Sequence, residues 1–329
     1  MNELKPYGEQ ATVSIWTEKG CNSMNILITG GAGFIGSHLA DALLAAGHSV
    51  TIIDNLSTGS KAFIPSKARF IEADIRCRES LQFLGQGHFD IIYHEAAQTM
   101  VPSSIKDPYH DADENIMGLL SLLEAARQGG VKKIIFSSSA AIYGDNSALP
   151  LTEEVPPHPL SFYGLTKWMT ENYLELYHQL YGLDYTILRY SNVYGPRQGA
   201  HGEGGVIYIF AKQLAEGKDL TIFGDGRQTR DFINVHDVVS ANVAALTKGN
   251  GSICNVSTGS EVSLNTLARK MIQLSGKPVK IHYGPVRPGD IYRSCLSRQK
   301  AEHLLGWAPQ TSLDEGLSET IAFFSRTMQ

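Results

Sequence analysis

Tyr163 and Lys167 stand four residues apart in YGLTK, inside an apolar-periodic stretch over residues 161–181. On a helix that spacing puts both side chains on one face, one turn apart. A phenol titrates near pH ~10 and is a poor base at neutrality. A neighbouring ammonium, joined by the positive charge of an oxidised nicotinamide ring, stabilises the phenolate and makes the phenol a proton acceptor. Upstream, Ser137-Ser138-Ser139 closes an apolar run that reads as a strand over residues 132–138, so its hydroxyls emerge at a strand end. Ser139 would orient a substrate hydroxyl whose proton Tyr163 takes while hydride leaves the same carbon. Taken alone, Tyr and Lys at this spacing occur on many helix surfaces. The pair gains meaning from the elements that must position it.

Those elements begin at residues 25–39, NILITGGAGFIGSHL. A short apolar run ends in Gly30, Gly33 and Gly36, and an amphipathic helix follows, with Gly47 at its expected left-handed end. Strand, glycine turn and helix in that order let backbone amides reach a dinucleotide pyrophosphate at a helix N-terminus. Residues 49–54 (SVTIID) read as a second strand whose last residue, Asp54, is placed to accept from the adenosine ribose diol. A carboxylate there repels a 2′-phosphate, so the expected cofactor is NAD rather than NADP. Residues 69–73 form a third strand leading to Asp74, placed to meet the adenine edge. Residues 89–94 form a fourth, running into Ala96, Ala97 and Gln98, a small-residue stretch suited to pass under a cofactor. Residues 112–127 read as a helix ended by Gly129-Gly130. Alternating strands and helices imply an α/β fold, a Rossmann-like doubly wound parallel sheet with a smaller α/β substrate-binding lobe.

The chain has 329 residues, long for one core. Residues 24–190 plus about 233–256 read as the NAD-binding domain, and about 191–232 plus 257–329 as the lobe. Residues 191–232 are glycine-rich and are expected to hold only short elements. Residues 1–23 read as a disordered N-terminal arm rather than a signal peptide, having no apolar core. A net charge of −5 offers no basic stripe for nucleic acid. No apolar run approaches the roughly 20 residues that span a bilayer. Four scattered cysteines without a CxxC pair suit a reducing cytoplasm, and no HExxH-type cluster suggests a metal. Helices near 112–127 and 161–181 carry more apolar surface than one sheet face needs, which points to a homodimer through a four-helix contact.

TGGAGFIGSHL (29–39), DNLSTG (54–59), SSSAAIYG (137–144), YGLTK (163–167), RYSNVYGPRQ (189–198), IFGDGRQTRDFINVHD (222–237) and RPGD (287–290) together resemble the extended short-chain dehydrogenase/reductase superfamily. Within it they resemble the UDP-glucose 4-epimerase family. The resemblance implies that Ser139, Tyr163 and Lys167 are catalytic, with Lys167 also holding the nicotinamide ribose. It extends the cofactor contacts to Phe34, Ile35, Asn55, Ser57, Thr58, Gly59, Ile75, Asn115 and Tyr190. It also implies a UDP-sugar substrate contacted by Asn192, Val206, Phe223 and Ser294, with Arg230, Arg287 and Asp290 on the UDP moiety. Two arginines suit a diphosphate and an acid suits a ribose diol.

Three positions depart from the family pattern. Ser191 replaces the usual Phe, Ser103 stands where many relatives carry a basic residue, and Glu95 follows His94 where an apolar residue is usual. Relatives that eliminate water or steer acidic sugars carry acids beside the catalytic hydroxyl, whereas Ala140 and Ala141 stand there here. The expected activity is therefore 4-epimerisation of UDP-glucose and UDP-galactose through a transient 4-keto sugar, with tightly held NAD. A small Ser294 is expected to admit the N-acetylated pair as well. The competing readings are a UDP-hexuronate 4-epimerase, another nucleotide-sugar dehydratase or decarboxylase, and an NAD-sensing scaffold.

Overall fold

The computed structural model describes residues 23–87, 89–199, 204–286 and 291–327. Seven parallel strands form the central sheet, in the order Ser252–Val256, Asp184–Tyr190, Lys133–Ser139, Ile91–His94, Asn25–Thr29, Ser49–Asp54, Arg69–Glu72. Strand order reverses beside Asn25–Thr29, and the crevice at that switch point is where such sheets bind ligands. The first strand reads as an uninterrupted apolar run because both its faces are covered. Ile26 and Ile28 enter one core with Leu39, Leu43, Val238 and Ala241, while Leu27 enters another with Leu119, Leu122, Leu123 and Leu174.

The expected elements differ from the observed ones mainly at their ends. The serine-ended strand reaches one residue further, to Ser139. The helix Phe162–Tyr181 starts just after Ser161, whose hydroxyl accepts from the Gly164 N–H at 3.1 Å, and stops at left-handed Gly182. The helix expected over 112–127 is not continuous. A short helix, Pro108–Ala112, runs into a π-helical turn, Asp113–Met117, before the regular helix Gly118–Gln128. The wide turn places buried Asn115 so that its side-chain amide pairs with the main chain of Gln98. It accepts from the Gln98 N–H at 2.9 Å and donates to the Gln98 carbonyl at 3.1 Å.

Residues 191–232 hold more regular structure than their glycines suggest. Helix Val206–Ala215 buries Ile207, Phe210, Ala211 and Leu214 at helical spacing. They join Leu220, Ile222, Leu267, Met271, Leu317 and Phe324 in a third apolar cluster, beyond the main sheet. The chain then returns through helix Val235–Ala244 to supply the sheet's outermost strand, Ser252–Val256. No helix among the described residues is long and apolar enough to cross a membrane.

One buried ion pair ties the helix Phe162–Tyr181 to the sheet. Arg189 grips Glu171 through two bonds, Nε–Oε1 at 3.0 Å and Nη2–Oε2 at 2.6 Å, with both side chains under 5% exposed at 4% and 3%. The Ser138 hydroxyl donates to Glu171 at 2.5 Å, and Arg189 donates to the Tyr143 hydroxyl at 2.8 Å. Removing one partner strands the other as a buried charge. Arg189→Leu is therefore expected to cost about 3–5 kcal/mol in urea unfolding. Joint replacement of Arg189 and Glu171 by leucine is expected to recover more than half of that loss.

Candidate active site

A cavity of about 760 Å³ opens at the carboxyl ends of the strands. Its floor is the glycine turn. A Cβ on Gly36 would lie 2.3 Å from the Gly30 carbonyl oxygen, so only glycine lets the helix start this close to the turn. That helix, Phe34–Ala45, begins after Gly33 with no side-chain cap and no acid in its first turn. Its unpaired amides and positive end therefore face the cavity lined by Gly30, Gly33, Phe34, Ile35 and Gly36.

Asp54 closes the adjacent strand. Its carboxylate accepts from the Ala32 N–H at 3.0 Å and from the Leu56 N–H at 2.7 Å. Burial raises its pKa, and those two amides pull it back down. Two of its four lone-pair sites are filled, which leaves two for a ribose diol. Asp74 is different. Arg76 takes three of its sites and Asn55 the fourth, so its carboxylate is full. The Arg76 guanidinium holds that carboxyl well below its ordinary range. Asp74 thus braces the rim with its side chain, and the wall there is completed by Ile75, Asn55, Ser57 and Thr58.

At the other end, Ser139, Tyr163 and Tyr190 line the same cavity, with Ala96 and Ala97 beneath. Gly164 lets Tyr163 come this close. A Cβ on Gly164 would meet the Ala141 carbonyl oxygen at 2.5 Å and the Pro159 Cβ at 3.1 Å. Lys167 lies behind the tyrosine rather than on the cavity wall. Its Nζ donates to the Ser137 carbonyl at 2.8 Å and sits 4.7 Å from the Phe136 ring centre and 5.9 Å from that of Tyr163. Burial lowers Lys167 to about 8, against the fields of Glu95, Asp111 and Glu171 that favour its charge. Burial pushes the Tyr163 phenol up, the Ser139 hydroxyl pulls it down, and Asp111 adds to the rise. Burial thus outweighs the lowering expected at the phenol, and the Lys167 ammonium spends its bond on the Ser137 carbonyl.

Four other positions read from the sequence stand beside the cavity without lining it. Asn115 and Gln98 are engaged with one another, and Gln98 also donates to Asp111 at 2.6 Å. Asp111 in turn accepts from Thr166 at 2.9 Å, which ties this network to the helix Phe162–Tyr181. Gly59 and Phe223 also sit outside the wall. On the lobe side Asn192, Val206, Arg230 and Ser294 line it, and Arg230 donates to the Thr229 carbonyl at 2.8 Å. Arg287, Asp290 and most of the arm, residues 1–22, lie outside the described residues.

The sequence reading did not single out Asp231, Arg197 or Glu95 as parts of the site. Asp231 is fully buried and accepts from the Thr258 N–H and hydroxyl at 3.0 and 2.7 Å, from the Gly259 N–H at 3.1 Å and from the Ser191 hydroxyl at 3.4 Å. Its sequence signal is its place inside IFGDGRQTRDFINVHD, directly after Arg230. Arg197 lines the cavity from a left-handed backbone (φ +67°), reaching Asp41 at 2.8 Å. Glu95 lines the cavity beneath Ser137.

Residues 26–257 match the NAD dependent epimerase/dehydratase family. The chain belongs to this family. It is 42% identical over 313 residues to a UDP-glucose 4-epimerase of Mycolicibacterium smegmatis, covering 93% of this chain and 100% of that one. The crystal structure of a UDP-glucose 4-epimerase of Thermotoga maritima with UDP-glucose superposes with a TM-score of 0.91 at 44% identity, covering 93% of this chain and 100% of the other. A Thermus thermophilus UDP-glucose 4-epimerase in complex with NAD gives 0.87 at 40% identity, covering 92% and 99%. The cofactor of this family member is NAD. Its glycine cradle, uncapped helix end and half-open Asp54 carboxylate fit a pyrophosphate and a ribose diol.

The close approach at Gly164 sets the position of the phenol. Gly164→Ala is expected to force the helix start away from Ala141 and to lower kcat by about 10²-fold, the scale of a ~1 Å misplacement. Steady-state kinetics beside circular dichroism check this, with the folded signal retained.

Proposed function

We propose that this protein is a UDP-hexose 4-epimerase. One observation carries the reading: a single cavity joins the dinucleotide cradle, Ser139 and Tyr163, and the lobe residues Asn192, Arg230 and Ser294. NAD held there would supply the acceptor for hydride from the sugar's C4 and the donor for its return. Tyr163 takes the C4 hydroxyl proton while Ser139 holds that hydroxyl, and the same phenol gives the proton back. Lys167, behind the phenol, and the positive charge that an oxidised nicotinamide ring would bring to the cavity both favour the phenolate. Ala140 and Ala141 place no carboxylate next to the reacting hydroxyl, so nothing there assists elimination of water. Arg230 from the lobe suits the diphosphate, with Arg287 and Asp290 assigned to the same moiety by their motif. The division between an NAD-binding domain and a sugar-binding lobe follows the separate third apolar cluster.

We also infer a homodimer. Phe162, Leu165, Met169, Leu176 and Leu180 are exposed at spacings of three, four, seven and four along one helix, opposite its core face. Such a stripe is what a second copy of the same helix would cover. Met117 and Tyr109 extend it on the neighbouring segment. Cys77, Cys254 and Cys295 are unpaired, which suits a reducing cytoplasm.

The test is incubation with UDP-galactose, UDP-GalNAc and UDP-GalA without added NAD, with the products read by NMR. The 4-epimers of the first two are expected, and 4-keto-6-deoxy or decarboxylated products would overturn the reading. Tyr163→Phe is expected to lower turnover at least ~10²-fold, and near-normal turnover would remove the phenol from its role. Ser294→Tyr is expected to abolish interconversion of the N-acetylated pair while UDP-galactose is still converted. Equal loss on both pairs would assign Ser294 no part in selecting the sugar.

A further inference from the structure

Glu95 is the departure for which the reaction above has no use. It follows strand Ile91–His94, where it lines the cavity beside Ala96. Its Oε1 accepts from the Ser137 hydroxyl at 2.5 Å. The Ser137 oxygen lies 2.9 Å from the Tyr190 hydroxyl, and Asn242 Nδ2 donates to that hydroxyl at 2.7 Å.

The direction of these bonds is fixed by their ends. An amide NH₂ can only donate, so the Tyr190 oxygen is an acceptor toward Asn242 and its own proton goes to Ser137. Ser137 then spends its single proton on Glu95. Every hydrogen in the chain Asn242–Tyr190–Ser137–Glu95 points toward the carboxyl group, an arrangement that favours its ionised form. Lys167 approaches from the other side, bonded to the Ser137 carbonyl, and its field also favours ionisation. Tyr93 and Tyr190 are the other titratable groups that feel Glu95, and both are held protonated by burial. Burial pushes Glu95 itself up to about 7. An oxidised nicotinamide bound in the same cavity would add a positive charge that tips the balance toward the carboxylate.

We propose that Glu95 is an electrostatic positioning residue: its carboxylate, held by the Asn242–Tyr190–Ser137 chain, is the counter-charge that favours the oxidised over the reduced nicotinamide in this site. The proposal rests on the epimerase reading for its benefit to the reaction. There, hydride taken from C4 must be handed back in each cycle, and a negative charge in the wall of the cofactor cavity would make its return easier and an idle reduced enzyme rarer. The preference itself belongs to the cofactor site and does not need the sugar.

The test therefore uses no sugar. The purified holoenzyme is incubated with equal NAD⁺ and NADH until its bound cofactor has exchanged, then desalted, and the bound reduced-to-oxidised ratio is read from absorbance at 340 nm against total released cofactor. Glu95→Gln keeps an acceptor for Ser137 but removes the charge, and it is expected to raise that ratio about tenfold. Glu95→Asp keeps the charge and is expected to stay near the native ratio. Glu95→Leu serves the same purpose as the amide if the amide does not fold. A ratio within twofold of native in a folded, uncharged variant overturns the proposal. Failure of the native protein to epimerise UDP-sugars would instead overturn the functional reading and leave this measurement intact.

Discussion

The structure depends on the buried contact between Glu171 and Arg189. Two charges under the sheet are tolerable only as a pair whose remaining bonding capacity is met, and Ser138 and Tyr143 help to meet it. The contact joins the long helix to two strands at once, so the helix cannot slide or turn without exposing a charge to the core. Counting back from Glu171 by one and two turns gives Lys167 and Tyr163. The periodicity that packs the helix is therefore the periodicity that delivers the chemistry. Leu174 continues the same face into the core, and the opposite face carries the exposed apolar stripe. One helix thus presents the proposed catalytic pair on its sheet side and an exposed apolar stripe on the other.

A second carboxylate, Asp231, does for the lobe what Glu171 does for the helix. It is fully buried, and burial raises its pKa, but bonds from Thr258, Gly259 and Leu296 favour its charge. Those bonds draw the chain segments at residues 191, 231, 258 and 296 to one point. Arg230 and Ser294 sit one and two residues from that knot, so the lobe's cavity wall is fixed through the main chain. Ser191 has a physical role in this arrangement, since its hydroxyl reaches Asp231 where a phenylalanine would have no donor. The resulting wall is firm on the sheet side and tied by a single carboxylate on the lobe side. A reaction in which the sugar must present both faces of one carbon to the same ring needs that combination: a fixed proton acceptor and a binding lobe that holds the nucleotide while the hexose turns.

Legibility followed sequence distance. The glycine turn, Asp54, the serine-ended strand and the Tyr–Lys pair are each defined by residues a few positions apart, and local pattern found them. The π-helical turn at Asp113–Met117 escaped because its cause is not local: Asn115 is drawn inward by the main chain of Gln98, seventeen residues away. The helix Val206–Ala215 was legible in its own spacing but was outweighed by the glycines around it. Gln98 reads as a cofactor contact by its place after the fourth strand, and Asn115 by the family resemblance. The structure puts them one layer back, bonded to one another and to Asp111. Lys167 also stands one layer back, and this changes the electrostatic argument. A lysine four residues from a tyrosine suggests a directly paired ammonium and phenol, yet the nearest acceptor, the Ser137 carbonyl, captures the ammonium. The charge state of the phenol is then set by its burial, by the Ser139 hydroxyl and by Asp111. Asp111 lies about fifty residues from Tyr163 in the chain, and no short motif could display that dependence.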